Sequence, residues 1–157
     1  SCREVFDQTF QKFLEKYNIN GRVIPISEIG LTKTYIYSLS KLALCKSGTV
    51  NMELALYNIP QVVGYKVSRV TAFIAIKILN FKVRFISPVN LLVKKLVIPE
   101  FVQKDFNVDF IFRKSCKLIE NKNEKIKIKE GYKLLKRNLG DAGVAKRAAV
   151  EIINSLI

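Results

Sequence analysis

Residues 42–65, LALCKSGTVNMELALYNIPQVVGY, decide how this chain is read. Leu42 to Cys45 is a short apolar run of strand type, followed by a turn of small residues, Ser47-Gly48-Thr49. Val50 to Tyr57 then carries a helical pattern until Asn58 and Pro60 stop it. Gln61 to Tyr65 is a second and nearly continuous apolar run, the kind that is buried on both faces of a parallel sheet. Strand, turn, helix, strand is the unit of an α/β layer, with parallel strands joined by right-handed crossovers.

On the N-terminal side, Val5, Phe6, Phe10, Phe13, Leu14 and Tyr17 recur at helical spacing and predict a helix with one buried face. Asn18-Ile19-Asn20-Gly21 ends it, because Asn and Gly tolerate the left-handed backbone of a helix C-terminus. Arg22 to Ile26 reads as a strand and Thr32 to Ser40 as a helix. On the C-terminal side, Ser68 suits the N-cap of an apolar helix reaching Leu79, Val83 to Ile86 reads as a strand, and Ser87 to Pro99 as a long irregular loop. From Glu100 onward the pattern is helical. Asn121 to Lys129 is an exposed join or polar helix face, Gly140-Asp141-Ala142-Gly143 a break, and Val144 to Leu156 the last helix. The expected class is α/β: a Rossmann-like parallel sheet with helices on both faces, residues 1–120, and a helical C-terminal extension, residues 121–157.

Composition narrows the chemistry. With 49% hydrophobic residues the 157 residues can bury one core. The chain contains no histidine, which removes imidazole metal ligands, a Ser-His-Asp triad and a histidine base from this chain. Cys2, Cys45 and Cys116 are odd in number and far apart, a pattern of a reducing compartment rather than a disulfide framework. Lys and Arg number 27 against 13 acidic residues, a formal charge of +14 that attracts polyanions. Nucleic acid, an anionic membrane and a phosphorylated small molecule all fit that field; so does a bias toward lysine, isoleucine and asparagine with no partner behind it. No stretch reads as a membrane span. The longest apolar run, Val62 to Leu79, holds Lys66, Arg69 and Lys77, each costing roughly 2.5–3.5 kcal/mol at mid-bilayer. The mixed charges of Ser1 to Asn18 do not form a signal peptide. The start at Ser1, directly on a helical pattern, leads us to expect a piece of a longer protein.

Ligands of parallel α/β sheets bind beyond the carboxyl ends of the strands, which is where Ser47-Gly48-Thr49 falls. Gly48 allows close approach to the backbone, the two hydroxyls can donate, and a helix start favours negative charge, so a diphosphate fits here without a metal. The same small residues also suit plain helix capping. Glu53, one helical turn beyond Thr49, has two readings as well: acceptor for a ribose hydroxyl pair, or a first-turn carboxylate favoured by the helix dipole. Neither a Walker A lysine nor a G-x-G-x-x-G is present, which argues against ATP hydrolysis and dinucleotide binding.

Several blocks carry a resemblance. Ser47-Gly48-Thr49 with Glu53 and Ala55, then Pro60, Val62, Val63, Tyr65 and Lys66, is similar to the S-G-T-x-x-x-E-x-A…P-x-V-V-x-Y-[KR] pattern of lipid A disaccharide synthases. Asn90-Leu91-Leu92 resembles their N-L-L, Pro99-Glu100-Phe101-Val102-Gln103 their P-E-[LF]-x-Q, and Gly140 to Gly143 with Arg147-Ala148-Ala149 their closing G-x-x-G…R-A-A. The blocks stand in the family's order from Leu42 onward. Before Leu42 only the pattern of elements agrees. Three departures stand out: Ser87-Pro88-Val89-Asn90 for S-L-P-N, Val93-Lys94-Lys95 for a small or glycine-containing stretch, and Asn51 for a common threonine.

The resemblance implies the second, donor-binding half of a two-domain GT-B type glycosyltransferase. The family transfers 2,3-diacylglucosamine from its UDP donor to 2,3-diacylglucosamine 1-phosphate, with inversion and release of UDP. No cofactor and no metal are implied, and the general base is expected in the other half, leaving this portion inactive alone. Position by position, Ser47, Gly48 and Thr49 would hold the diphosphate and Glu53 the ribose or the turn. Asn90, Glu100 and Gln103 would contact uracil, ribose or sugar, or else cap their loop. Tyr65 and Lys66 would meet phosphate or a lipid headgroup, or else Lys66 is only a solvated charge. Acylated substrates imply a cytoplasmic enzyme peripheral on the inner membrane, or its organellar equivalent, with an anionic membrane surface and a second copy of the chain as expected partners. The helix from Ser68 to Leu79, with Phe73, Ile74 and Ile76 beside Arg69 and Lys77, is either core or a lipid-facing element. Two other functions remain open. A different UDP-sugar transferase of cell-envelope synthesis lacks its usual glycine-rich donor motif here. A nucleic-acid-binding module has the charge but no aromatic interleaving, so no nucleic-acid partner is expected.

Overall fold

The computed structural model describes residues 2–25, 27–28, 30, 32–68 and 84–155. Two compact units divide the chain, Ser1–Leu39 and Ser40–Ile157.

The first unit contains α1 (Cys2–Lys16) and α2 (Thr32–Leu39). Asn18, at φ 47°, turns the chain out of α1, the left-handed exit that Asn and Gly at this point predict. The Ile19 N–H returns to the Leu14 carbonyl, 2.9 Å, and closes that exit. Residues 22–25 are not the strand expected of them. Pro25 lacks a ladder donor and its carbonyl accepts the Glu28 N–H, 2.9 Å, so the run ends in a turn. Ile26 lies outside the described residues.

The second unit is built on a parallel sheet in the order β1 (Ala43–Lys46), β2 (Gln61–Tyr65), β3 (Glu100–Val102). Ala43 pairs with Gln61 and Lys46 with Gly64, while Val63 pairs with Glu100 and Tyr65 with Val102. α3 (Val50–Leu56) is the crossover between β1 and β2. Gln61, Val62 and Val63 are all buried although neighbours point to opposite faces, so both faces of the central strand are covered. One face meets α3 and the long helix α6 (Lys122–Leu139), since Gln61 bonds to residues of both. The other meets Phe106 and Ile111, at and within α5 (Val108–Glu120).

α4 (Pro88–Val93) and α7 (Val144–Ser155) complete the unit. The core joins Ala55, Val62, Val63, Val89, Val93, Ile98, Leu118, Ile128, Tyr132 and Leu135, so α6 is bound into the sheet layer. Glycine at 131 makes this fit: a Cβ there would collide with the Val97 side chain. Gly140 (φ 71°) and Gly143 (φ 91°) form the break before α7, which Arg147 closes with bonds to the Asp141 and Ala142 carbonyls.

Three further expectations are corrected. Residues 84–86 are not a strand, because the Ile86 N–H donates to the Glu100 carboxylate and its carbonyl accepts from Ser47 Oγ instead of entering a ladder. The stretch 87–99 is not irregular throughout: Ser87 caps α4, its Oγ accepting from Asn90 N–H at 3.2 Å, with Pro88 in the first turn. Glu100 to Val102 is a strand and not the start of a helix, followed by a single 3₁₀ turn, Gln103–Asp105. The helix expected from Ser68 to Leu79 lies, after Ser68, outside the described residues, as do Val83 and Leu156. Among the described residues no helix is long and apolar enough to cross a membrane.

Candidate functional site

The carboxyl ends of the three strands gather the residues singled out above. Ser47-Gly48-Thr49 follows β1, Tyr65-Lys66 ends and follows β2, and Gln103 follows β3.

In the turn, the side chains do not cap α3. Thr49 occupies the cap position with helical φ and ψ (−60°, −28°) and makes no side-chain cap bond. Ser47 Oγ donates to the Ile86 carbonyl at 2.6 Å, tying the turn to the segment before α4. The capping is done in reverse, by Asn51 Oδ1, which accepts the Gly48 N–H at 2.8 Å. Thr49 is exposed, whereas Ser47 and Glu53 are half-buried. Gly48 itself has no positive φ, and among the described residues a Cβ added to it would meet nothing within 4 Å.

Asn51 is held by a buried polar cluster that the sequence reading missed. Its Nδ2 donates to Gln61 Oε1 (3.0 Å), Cys45 Sγ (3.1 Å) and the Lys46 carbonyl (3.4 Å). Gln61 Nε2 donates to the Asn51 carbonyl and to Tyr132 Oη, both 3.0 Å, and Tyr132 Oη donates to the Ile59 carbonyl, 2.9 Å. Burial raises the Tyr132 phenol well above its ordinary range, against the opposing Gln61 bond, so it stays protonated and donating. Burial likewise pushes the Cys45 thiol up, with Asn51 acting against it. The available signal was an Asn on the inner face of a seven-residue helix and a Gln opening a buried strand.

The second group sits along residues 84–103. Asn90 is fully buried and uses all four hydrogen-bonding positions of its amide: Nδ2 to the Ile98 carbonyl (2.8 Å) and Glu100 Oε1 (2.7 Å), and Oδ1 from the N–H groups of Val97 (2.8 Å) and Ile98 (3.0 Å). Glu100 accepts in addition from Ile86 N–H (2.8 Å) and Ser87 N–H (2.9 Å). Gln103, in the left-handed region at φ 49°, grips Val67 by both backbone groups: Val67 N–H donates to Oε1 at 2.7 Å, and Nε2 donates to the Val67 carbonyl at 3.4 Å. These side chains tie described parts of the connection between β2 and β3 to one another and to the ends of β3. Lys46 Nζ stands 5.5 Å from the Tyr65 ring centre and Lys66 Nζ 5.8 Å from that of Phe106, cation–π contacts that line the same edge.

Among the described residues no cluster of three or more Cys, Asp or Glu is placed to hold a metal ion. What remains open at the strand ends is a glycine-centred turn with an exposed threonine and two lysines, a setting for an anion.

Comparison with known proteins agrees in scope. A family model described as lipid-A-disaccharide synthetase matches residues 1–153. The lipid-A-disaccharide synthase of Prochlorococcus marinus (strain MIT 9313) is 44% identical over 149 residues, 95% of this chain and 38% of the relative. That of Gloeothece citriformis (strain PCC 7424) is 37% identical, over 96% of this chain and 38% of the relative. The Synechocystis sp. (strain ATCC 27184 / PCC 6803 / Kazusa) synthase is 34% identical, over 94% and 36%. The chain thus spans about 38% of the length of the first two relatives. No solved structure matches it. With a family model over nearly its whole length and relatives of this identity, the chain belongs to the lipid-A-disaccharide synthase family.

Proposed function

We propose that this chain is the donor-binding portion of a two-domain, GT-B type transferase that moves 2,3-diacylglucosamine from UDP to 2,3-diacylglucosamine 1-phosphate with inversion. The turn after β1 seats the diphosphate of the donor and stabilises the charge that builds on UDP as it leaves, the part a metal plays elsewhere. Glu53 serves the ribose or the turn, and Lys46 and Lys66 supply the charged rim, with the Tyr65 ring beside Lys46. Asn90, Glu100 and Gln103 act by holding the loops around the seat. The chain spans about 38% of the length of its first two relatives; acceptor binding and the general base belong to the rest of the enzyme on this reading, and the portion alone does not turn over. The basic surface favours work at the cytoplasmic face of an anionic membrane.

One observation carries the reading. Glycine at 48 is required neither by backbone conformation nor by any neighbour among the described residues, because its φ is not positive and none of them approaches the position of its missing Cβ. A residue that the fold leaves free to vary, at the strand end where ligands bind, is explained by a ligand lying against it. The test is Gly48→Ala, assayed by titration calorimetry with UDP and by thermal unfolding. We expect an unchanged unfolding midpoint and an affinity about tenfold lower, from one displaced phosphate contact. Equal affinity in the two proteins would remove the turn from the site.

A further inference from the structure

We propose that Asn51 is the positioning residue of this seat, and that Gln61 and Tyr132 fix which way round its amide lies; the inference rests on the nucleotide-seat reading above. The chain of bonds has a single polarity. The Ile59 carbonyl can only accept, so Tyr132 Oη donates to it, 2.9 Å, and turns its lone pairs to Gln61 Nε2, 3.0 Å. The same Nε2 reaches the Asn51 carbonyl, which places Gln61 Oε1 against Asn51 Nδ2, 3.0 Å. Asn51 Oδ1 is thereby turned to the Gly48 N–H, 2.8 Å.

An acceptor at one end and a donor at the other leave no link free to flip. Asn51, Gln61 and Tyr132 are each fully buried, so water cannot replace any of them. The path runs from α6 through the start of β2 to the turn after β1, across 71 residues of sequence between Gln61 and Tyr132. Asn51 also holds the Lys46 carbonyl, at 3.4 Å, so both residues flanking Ser47 are fixed from below.

The assignment changes what each turn residue does. The Gly48 amide is committed inward and Ser47 Oγ is committed to Ile86, so neither donates to the ligand. Gly48 contributes the room left by its absent side chain, and Thr49, whose hydroxyl makes no cap bond, is the residue that meets the phosphate. Asn51 touches no ligand. It holds the turn in the shape that receives one.

The experiment uses the 157-residue chain, labelled with ¹⁵N, in wild-type, Asn51→Ala, Asn51→Thr and Tyr132→Phe forms. UDP affinity is measured by calorimetry, exchange of the Gly48 amide by NMR, and stability by thermal unfolding. Asn51→Ala should speed Gly48 exchange and weaken UDP about tenfold below its own midpoint, with Tyr132→Phe about threefold weaker than wild type. Asn51→Thr, whose hydroxyl can accept the same N–H, should recover most of the affinity. A residue that only stabilises the fold would lower the midpoint and leave the affinity alone, which would overturn the assignment. So would tighter binding by Asn51→Ala, because Asn51 would then compete with the ligand for the Gly48 amide. Should Asn51→Ala not fold, Asn51→Thr and Tyr132→Phe decide between the same outcomes. Failure of the wild-type chain to bind UDP would refute the seat and this role together, whereas wild-type binding with unchanged affinity in the variants would refute this role alone.

Discussion

The turn after β1 and the segment from Ser87 to Gln103 both carry motif residues, yet the structure treats them oppositely. Asn90, Glu100 and Gln103 turn inward and spend their polar atoms on backbone groups of residues 67, 86, 87, 97 and 98. Gly48 and Thr49 face open space with their side-chain positions uncommitted, and their shape is held from beneath by Asn51. A motif residue can therefore belong to a site in two ways: by meeting the ligand, or by fixing the backbone that does. The first kind should be visible in affinity at unchanged stability, and the second in stability, with affinity following only where the backbone that is held is the turn itself.

Asn90→Ala offers the largest effect and the hardest test of that division. It strands the buried N–H and carbonyl of Ile98 and part of a carboxylate, leaves the Val97 N–H only the Lys95 carbonyl, and should cost about 3 kcal/mol in urea unfolding. The UDP affinity of the molecules that remain folded should stay within about twofold of wild type. A variant of normal stability that has lost UDP would put Asn90 in contact with the nucleotide and erase the contrast.

Glu100→Gln should sharpen it, because Glu100 joins the two regions. Its carboxylate holds Ile86 and Ser87, and Ile86 in turn accepts from Ser47 of the turn. The amide offers one oxygen where the carboxylate offers two, and sets a donor against a backbone N–H. We expect a loss of about 1–2 kcal/mol, with UDP about threefold weaker through the Ser47 link. Stability loss with no change in affinity would show that the link transmits nothing.

The same division explains what could be read from the sequence. Residues 42–65 were legible because their signals are local: two apolar runs, a small-residue turn, and Asn58 with Pro60 as a stop. β3 was not, since three residues cannot show alternation and Glu100 to Val102 is a strand only because β2 lies beside it. α4 reads from the sequence as part of an irregular loop: Ser87 and Pro88 are a cap and a first-turn proline, but six residues give no helical period. In the site, the turn was visible as a place on the chain. The support under it was not, because an amide's role depends on a partner, and the Tyr132 hydroxyl that orients Gln61 stands at the far side of the sequence.

Thr49→Val gives the smallest effect and the cleanest separation of the two roles. Its side chain is exposed and makes no capping bond, so replacing the hydroxyl by a methyl of the same shape should change stability by no more than about 0.5 kcal/mol. If the hydroxyl donates to the diphosphate, UDP should bind about threefold more weakly, the lower range for one solvent-accessible hydrogen bond. Both quantities come from one purified variant, with calorimetry for binding and urea unfolding for stability. A Thr49→Val protein that is destabilised but binds UDP normally would make the turn another inward-facing support, like the segment from Ser87 to Gln103. Lost affinity at unchanged stability would leave Thr49 as the point where the phosphate is met, since the Ser47 hydroxyl and the Gly48 amide are already committed within the fold.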